Sequence, residues 1–136
     1  MSTQSKPQSA DPSALATTLN DMMLGLRKTQ LLYVAAKLGI ADLLHDGAKS
    51  GDELAHAVGV HPRGLYRVLR ALAGLGVFAE TSEGRFALTP LATLLQSGVP
   101  GSLRASAIWW GERWQWQAYG DLLYSVQTNH STFAAI

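Results

Sequence analysis

Gly74, Gly76 and Ala79 stand at the spacing of the dinucleotide-binding turn, G-x-G-x-x-G/A, in which backbone N–H groups cradle a pyrophosphate at the start of a helix. That chemistry requires a strand before the glycines and a helix after them. Here the order is reversed. A leucine-patterned helix precedes the glycines, and residues 77–80 read as a strand. Gly76 is therefore expected as a helix C-cap and Gly74 as a point of close packing. The four histidines, His45, His56, His61 and His130, include no pair at the i, i+4 spacing that would place two ligands on one helix face, and no Cys assists them. No metal site is expected. No serine lies in a G-x-S-x-G turn, and the carboxylates are too scattered to name an acid/base pair. No catalytic, cofactor-binding or metal-ligating residue is assigned.

Two other groups remain. Arg63, Arg67 and Arg70 share one helix face, a row that could bridge phosphates or read guanines. The competing reading is a solvated face opposite a leucine core. Glu80 and Glu83 against a single Arg85 would make the adjoining hairpin repel phosphate, and a formal net charge of +1 is far below that of most duplex binders. A winged-helix regulator using the arginine face is kept as the alternative function. Trp109, Trp110, Trp114 and Trp116 crowd one short segment. One helix cannot bury all four against a single neighbour, because they spread around more than half of its circumference. Several are expected to face a partner subunit, another domain or an aromatic ligand.

These groups must be positioned by helices. After a polar Ser-, Gln- and Pro-rich arm (residues 1–11), Leu15, Leu19, Met22, Met23 and Leu26 recur at three- and four-residue steps, and the pattern resumes with Leu31, Leu32, Ala35 and Leu38. Gly25 is expected to bend or divide these stretches, and Gly39 to end the second. Ile40, Leu43 and Leu44 suggest one helical turn. Ser50 and Glu53 match a capping box opening a helix that Gly59 ends. His61-Pro62 opens the next, with Leu65, Leu69 and Leu72 facing inward. Strands at 77–80 and 85–88 flank a turn, and Thr89-Pro90 starts a helix through Leu95. Helices are expected over about 100–111 and 112–126. In the second, Trp116, Tyr119, Leu123 and Val126, with Leu122 beside them, form the apolar stripe. The order is that of a mainly α, winged helix-turn-helix fold with a short β-hairpin wing and flanking N- and C-terminal helices.

Hydrophobic residues make up 47% of the 136-residue chain and charged residues only 15%. That excludes an intrinsically disordered protein and is low in charge for a freestanding monomer. The amphipathic region from Leu15 to Leu32 exceeds what a small winged core needs, and pairing with a second copy would cover it. The absence of Cys excludes disulfides and thiolate chemistry. With no secretory leader or apolar run long enough for a membrane span, a cytoplasmic protein is expected.

Residues 27–44 (RKTQLLYVAAKLGIADLL), 52–55 (DELA), 61–72 (HPRGLYRVLRAL), 76–78 (GVF) and 85–92 (RFALTPLA) together resemble, in order, the N-terminal part of the plant-type and actinobacterial S-adenosylmethionine-dependent O-methyltransferases. The resemblance implies a winged-helix domain that has lost DNA binding, forms an interlocked homodimer, and helps to close a pocket for a small aromatic or polyketide-like acceptor, with neither nucleic acid nor membrane as partner. It divides the chain into the arm at 1–11, a dimerisation domain at 12–99 and a helical connector at 100–136, with Phe133 near its exit. Leu15, Leu19, Met22, Met23, Leu26, Leu31 and Leu32 are the implied dimer-interface residues. Tyr119 and Trp110 are the implied pocket residues, although both are also readable as plain packing. The family's S-adenosylmethionine loop and catalytic His lie beyond the point corresponding to Ile136. The chain alone is therefore expected to bind no cofactor and to transfer no methyl group.

Overall fold

The computed structural model describes residues 11–131. Phe133 and all but the last residue of the expected arm lie outside them. Asp11 already belongs to the folded part, because its carboxylate accepts from the backbone N–H groups of Ser13 and Ala14 and caps the first helix. Helix α1 (Pro12–Met23) stops at Leu24, and α2 (Gly25–Leu38) begins at the glycine expected to divide them. Gly39, in the left-handed conformation at φ 71°, ends α2 and leads into the single turn α3 (Ile40–Leu43).

A two-residue strand, β1 (Lys49–Ser50), follows and was not foreseen. Ser50 then caps α4 (Gly51–Val58). The Glu53 N–H donates to the Ser50 hydroxyl at 3.1 Å, and the Ser50 N–H donates to the Glu53 carboxylate at 2.8 Å, completing the expected box. That second bond is the main influence holding the Glu53 carboxyl below its usual range. His61 caps α5 (Pro62–Gly74) by accepting on Nδ1 from Arg63 and Gly64. The helix closes in a Schellman arrangement. The Gly76 N–H donates to Ala73 and the Val77 N–H to Leu72, with Gly76 at φ 81°. Gly76 thus serves the backbone of a helix end and is no part of a phosphate loop.

The wing consists of β2 (Phe78–Glu80) and β3 (Arg85–Leu88), paired antiparallel with Phe78 opposite Leu88. Strand β1 joins the other edge of β3, placing Lys49 opposite Phe86, so the sheet order is β1-β3-β2. Thr89 caps the short α6 (Pro90–Thr93), which ends earlier than Leu95. The core lies between α2, α3, α4, α5 and the sheet. Phe78, Phe86, Ile40, Leu44, Leu54, Leu69 and Leu72 are fully buried there.

The C-terminal part departs most from the expected pattern. Helix α7 (Arg104–Gly111) starts after a turn rather than at residue 100. The expected final helix is two, α8 (Arg113–Gly120) and α9 (Leu122–Thr128), broken at Asp121. The break disperses the anticipated stripe, and Tyr119, Leu122, Leu123 and Val126 are all exposed. The inward face is made of Gly111, Gln115 and Ala118 instead. The missing side chain at Gly111 lets α7 approach Tyr33 of α2 more closely than an aromatic there would. Among the described residues, no helix is long and apolar enough to cross a membrane.

Candidate functional site

Helix α7 packs along α2, and the tryptophans lie beside this seam. At its centre, Gly111 lies against Tyr33 so closely that a Cβ there would overlap the Cβ and ring of the tyrosine. Gln30 Nε2 donates to the Gly111 carbonyl at 3.2 Å, and the Tyr33 hydroxyl donates to Glu112 Oε1 at 2.7 Å. That hydrogen bond, with partial desolvation and the carboxylate's charge, holds the Tyr33 phenol above its ordinary range. Lys37 Nζ lies 3.6 Å from the same carboxylate oxygen.

Arg104 fastens the other end of the seam. Its Nε–H donates to the Ala36 carbonyl at 2.8 Å, near the end of α2, and Nη1–H donates to the Ser97 hydroxyl at 2.7 Å. Ser97 donates in turn to Asp42 through its backbone N–H at 2.8 Å and its hydroxyl at 2.7 Å. The hydroxyl bond is the main cause of an Asp42 carboxyl held below its usual range, against the opposing effect of partial burial. One arginine thus ties the loop before α7 to the ends of α2 and α3. Sequence reading missed this clamp, because its members are separated by up to 68 residues.

Against this seam the tryptophans form an outer layer. Trp109 meets Trp110 and Trp114 edge-on, with ring centroids 4.7 and 5.4 Å apart. Trp116 folds back to donate its indole N–H to the Trp110 carbonyl at 3.0 Å. Trp109, Trp110 and Trp114 stay exposed, although the four tryptophans are divided between α7 and α8 rather than spread around one helix. Trp110 and Tyr119, named together as implied pocket residues, lie beside one another. With Leu26, Thr29 and Trp116 they line an open groove of about 340 Å³. No charged side chain among the described residues lines it. Trp110 is 49% and Tyr119 55% exposed, so neither is consumed by the core.

The implied interface residues divide into two sets. Leu15, Leu19, Met22, Met23 and Leu26 are exposed, with Met22 at 73% and Leu19 at 58%, and no residue of α1 is buried. Leu31 and Leu32 instead pack, half-buried, against the chain's own core.

The arginine face does not offer three uncommitted cations. Arg70 pairs with Glu80 at 3.2 Å and donates to the Tyr66 hydroxyl, and Arg85 pairs with Glu53. Arg63 and Arg67 border a groove that also contains Asp52. This counts against the duplex-binding alternative, because carboxylates within the row cancel the field a phosphate backbone needs. No group of three or more His, Cys, Asp or Glu among the described residues could hold a metal. The Gly74–Gly76 pair does not fit a nucleotide-binding turn either. The one glycine pair with a nucleotide-like spacing lies between a helix and a strand in the wrong order, and Gly76 is committed to a helix cap.

Comparison with known proteins agrees with this architecture. A family model described as the O-methyltransferase dimerisation domain matches residues 20–98. Phenazine O-methyltransferase PhzM of Lysobacter antibioticus is 50% identical over 119 residues, covering 88% of this chain and 35% of that protein. The mitomycin biosynthesis 6-O-methyltransferase of Streptomyces lavendulae is 33% identical, covering 96% and 38%. The crystal structure of LaPhzM superimposes with a TM-score of 0.84 at 50% identity, over 88% of this chain and 36% of that one. The N,N-8-amino-8-demethyl-D-riboflavin dimethyltransferase of Streptomyces davawensis gives a TM-score of 0.80 at 40% identity, over 87% and 35%. The chain therefore spans a little over a third of the length of these relatives. The winged core between two sets of apolar helices, together with a family model covering most of that core, shows that this chain belongs to the O-methyltransferase dimerisation-domain family.

Proposed function

We propose that this domain joins two copies of a small-molecule O-methyltransferase and supplies one wall of the acceptor pocket. Helix α1 carries the dimer part of the reading. It displays Leu15, Leu19, Met22 and Met23 with none of them buried, and a soluble chain rarely leaves such a face uncovered. In a twofold assembly each copy presents the same face, so one patch is covered twice. The pocket part rests on the groove between Trp110, Trp116 and Tyr119. Flat aromatic walls with no lining charge favour a planar, largely neutral acceptor, held by stacking. A relative named for phenazine shares this chemical character. Neither the acid/base step nor the methyl donor is assigned to these residues. The resemblance places both in the family's S-adenosylmethionine-binding domain.

Sedimentation velocity at protein concentrations on the order of tens of micromolar tests the dimer. The expected result is a twofold mass that Leu19→Glu with Met22→Glu reduces to the monomer, while a strictly monomeric parent chain refutes it. For the pocket, titration with phenazine should quench the tryptophan fluorescence saturably, and Trp110→Ala should weaken the binding. Quenching that never saturates would remove the pocket assignment.

A further inference from the structure

A groove of about 550 Å³ opens between α4, α5 and the turn of the wing, and it shares no lining residue with the groove of Trp110 and Tyr119. Helix α4 contributes Gly51 and Asp52, and α5 contributes Pro62, Arg63, Tyr66 and Arg67. Gly84 adds the wing turn. We infer that this groove binds a small aromatic carboxylate, with Arg63 and Arg67 holding the carboxylate and Tyr66 the ring. The inference is independent of the dimer and of the acceptor pocket.

The charge comes from two arginines that can spare it. Arg70 is paired with Glu80 and Arg85 with Glu53, whereas neither Arg63 nor Arg67 has an ion pair among the described residues. Both are exposed. They stand one turn apart on α5, so their side chains leave the same face roughly 6 Å from each other. A guanidinium offers a planar fork of N–H donors that matches the two oxygens of a carboxylate. Two arginines against the single carboxylate of Asp52 leave the lining with one unit of positive charge. That balance suits a monoanion. A phosphate backbone, charged at every step, would also meet Asp52.

Tyr66 supplies a wall that is already in place. Its hydroxyl donates to Glu80 Oε2 at 3.2 Å and accepts from Arg70 Nη1 at 3.4 Å. Its ring meets Phe86 edge-on, with centroids 5.9 Å apart. A ring held in this way loses little freedom when a ligand stacks on it. Gly51 keeps the space beside it open, because a Cβ there would come within 3.3 Å of Tyr66 Cδ1. Pro62 and the two glycines leave the adjoining surface flat, which fits a slab of one or two rings better than a branched aliphatic chain. The volume falls in the range of roughly 300–1,000 Å³ usual for small-molecule sites.

The test is a titration of the full chain with β-naphthoate, followed in two-dimensional amide NMR spectra, with β-naphthamide as the neutral analogue and acetate as the anion without a ring. The expected result is a saturable shift of the Gly51, Asp52 and Gly84 amides with β-naphthoate. Affinity for β-naphthamide should be lower by roughly tenfold or more, the loss expected when a charge-assisted hydrogen bond is removed, and acetate should not saturate over the same range. Arg63→Gln with Arg67→Gln should weaken β-naphthoate binding by at least as much. Both positions are exposed, so the double variant should keep the parent's urea unfolding midpoint, which separates lost binding from lost folding. Equal affinity for β-naphthoate and β-naphthamide overturns the role of the arginines, and equal affinity for acetate overturns that of the ring. A double variant that binds like the parent, shifts confined to Trp110 and Tyr119, or no saturable shift at all overturns the site itself.

Discussion

Replacing Gly111 by Ala should destabilise the chain far more than one methyl group suggests. The added Cβ would overlap the Cβ and Cγ of Tyr33. The tyrosine cannot escape by changing rotamer, because its own Cβ moves only with the α2 backbone. The two helices must therefore separate. Overpacking of this kind costs about 1–3 kcal/mol. Separation also strains the Tyr33–Glu112 and Gln30–Gly111 hydrogen bonds, each worth about 1 kcal/mol. Against this, Ala gains less than about 1 kcal/mol over Gly, since position 111 is the last residue of α7. The net loss is about 2–4 kcal/mol, equivalent to roughly 6–16 °C in Tm for a chain of this size. Urea unfolding followed by tryptophan fluorescence measures it directly, because Trp109, Trp110, Trp114 and Trp116 surround the seam. A double-mutant cycle isolates the cause. Tyr33→Ala keeps the offending Cβ and should relieve the clash only in part, whereas in a Tyr33→Gly background Gly111→Ala should cost little or nothing. A Gly111→Ala chain within about 0.5 kcal/mol of the parent, a typical surface-substitution effect, would refute the close approach.

Arg104→Met removes the charge-assisted bonds to Ala36 and Ser97 and should cost about 2 kcal/mol by urea unfolding, with Arg104→Lys recovering only part because an ammonium cannot span both acceptors. Asp42 has a folded-state pKa below its ordinary value, so its contribution is present above the usual carboxylate range and is lost as pH falls through the lowered value. The parent should therefore lose stability below about pH 4 more steeply than Asp42→Asn, as read from unfolding curves at a series of acidic pH values. Ser50→Ala removes the hydroxyl half of the capping box and should cost about 1 kcal/mol, while the Glu53 carboxyl rises only in part in an NMR titration, because the Ser50 backbone N–H that chiefly lowers it remains.

The parts of this fold that could be read along the chain are its local punctuation. Gly39, the Ser50–Glu53 box, Gly59, His61 at the start of α5, Gly76 and Thr89 all act where their residue types indicate. Each satisfies backbone groups within about four residues of itself, so nothing distant is needed to foresee it. The inward leucines of α5 were legible for the same reason, since helical period alone places Leu65, Leu69 and Leu72 on one side. That Trp110 and Tyr119 share one groove was implied only by the family resemblance, because nothing in their spacing brings them together.

What lay hidden depends on segments that meet across long stretches of chain. Strand β1 is two residues long and exists because β3, more than thirty positions later, supplies its hydrogen bonds. The aromatic stripe expected on one long helix gave way to a break at Asp121 and an inward face of Gly111, Gln115 and Ala118. Apolar character alone favours burying Trp116 and Tyr119, but α8 turns Gln115 and Ala118 inward, and the close approach of α7 to Tyr33 leaves no room for a side chain at Gly111. Gln115 shows how far fit can override polarity, for it is 1% exposed and its Nε2 has no hydrogen-bond partner among the described residues. Caps and periods are properties of neighbours in sequence, whereas which face a helix turns inward is settled by the shape of the surface it meets.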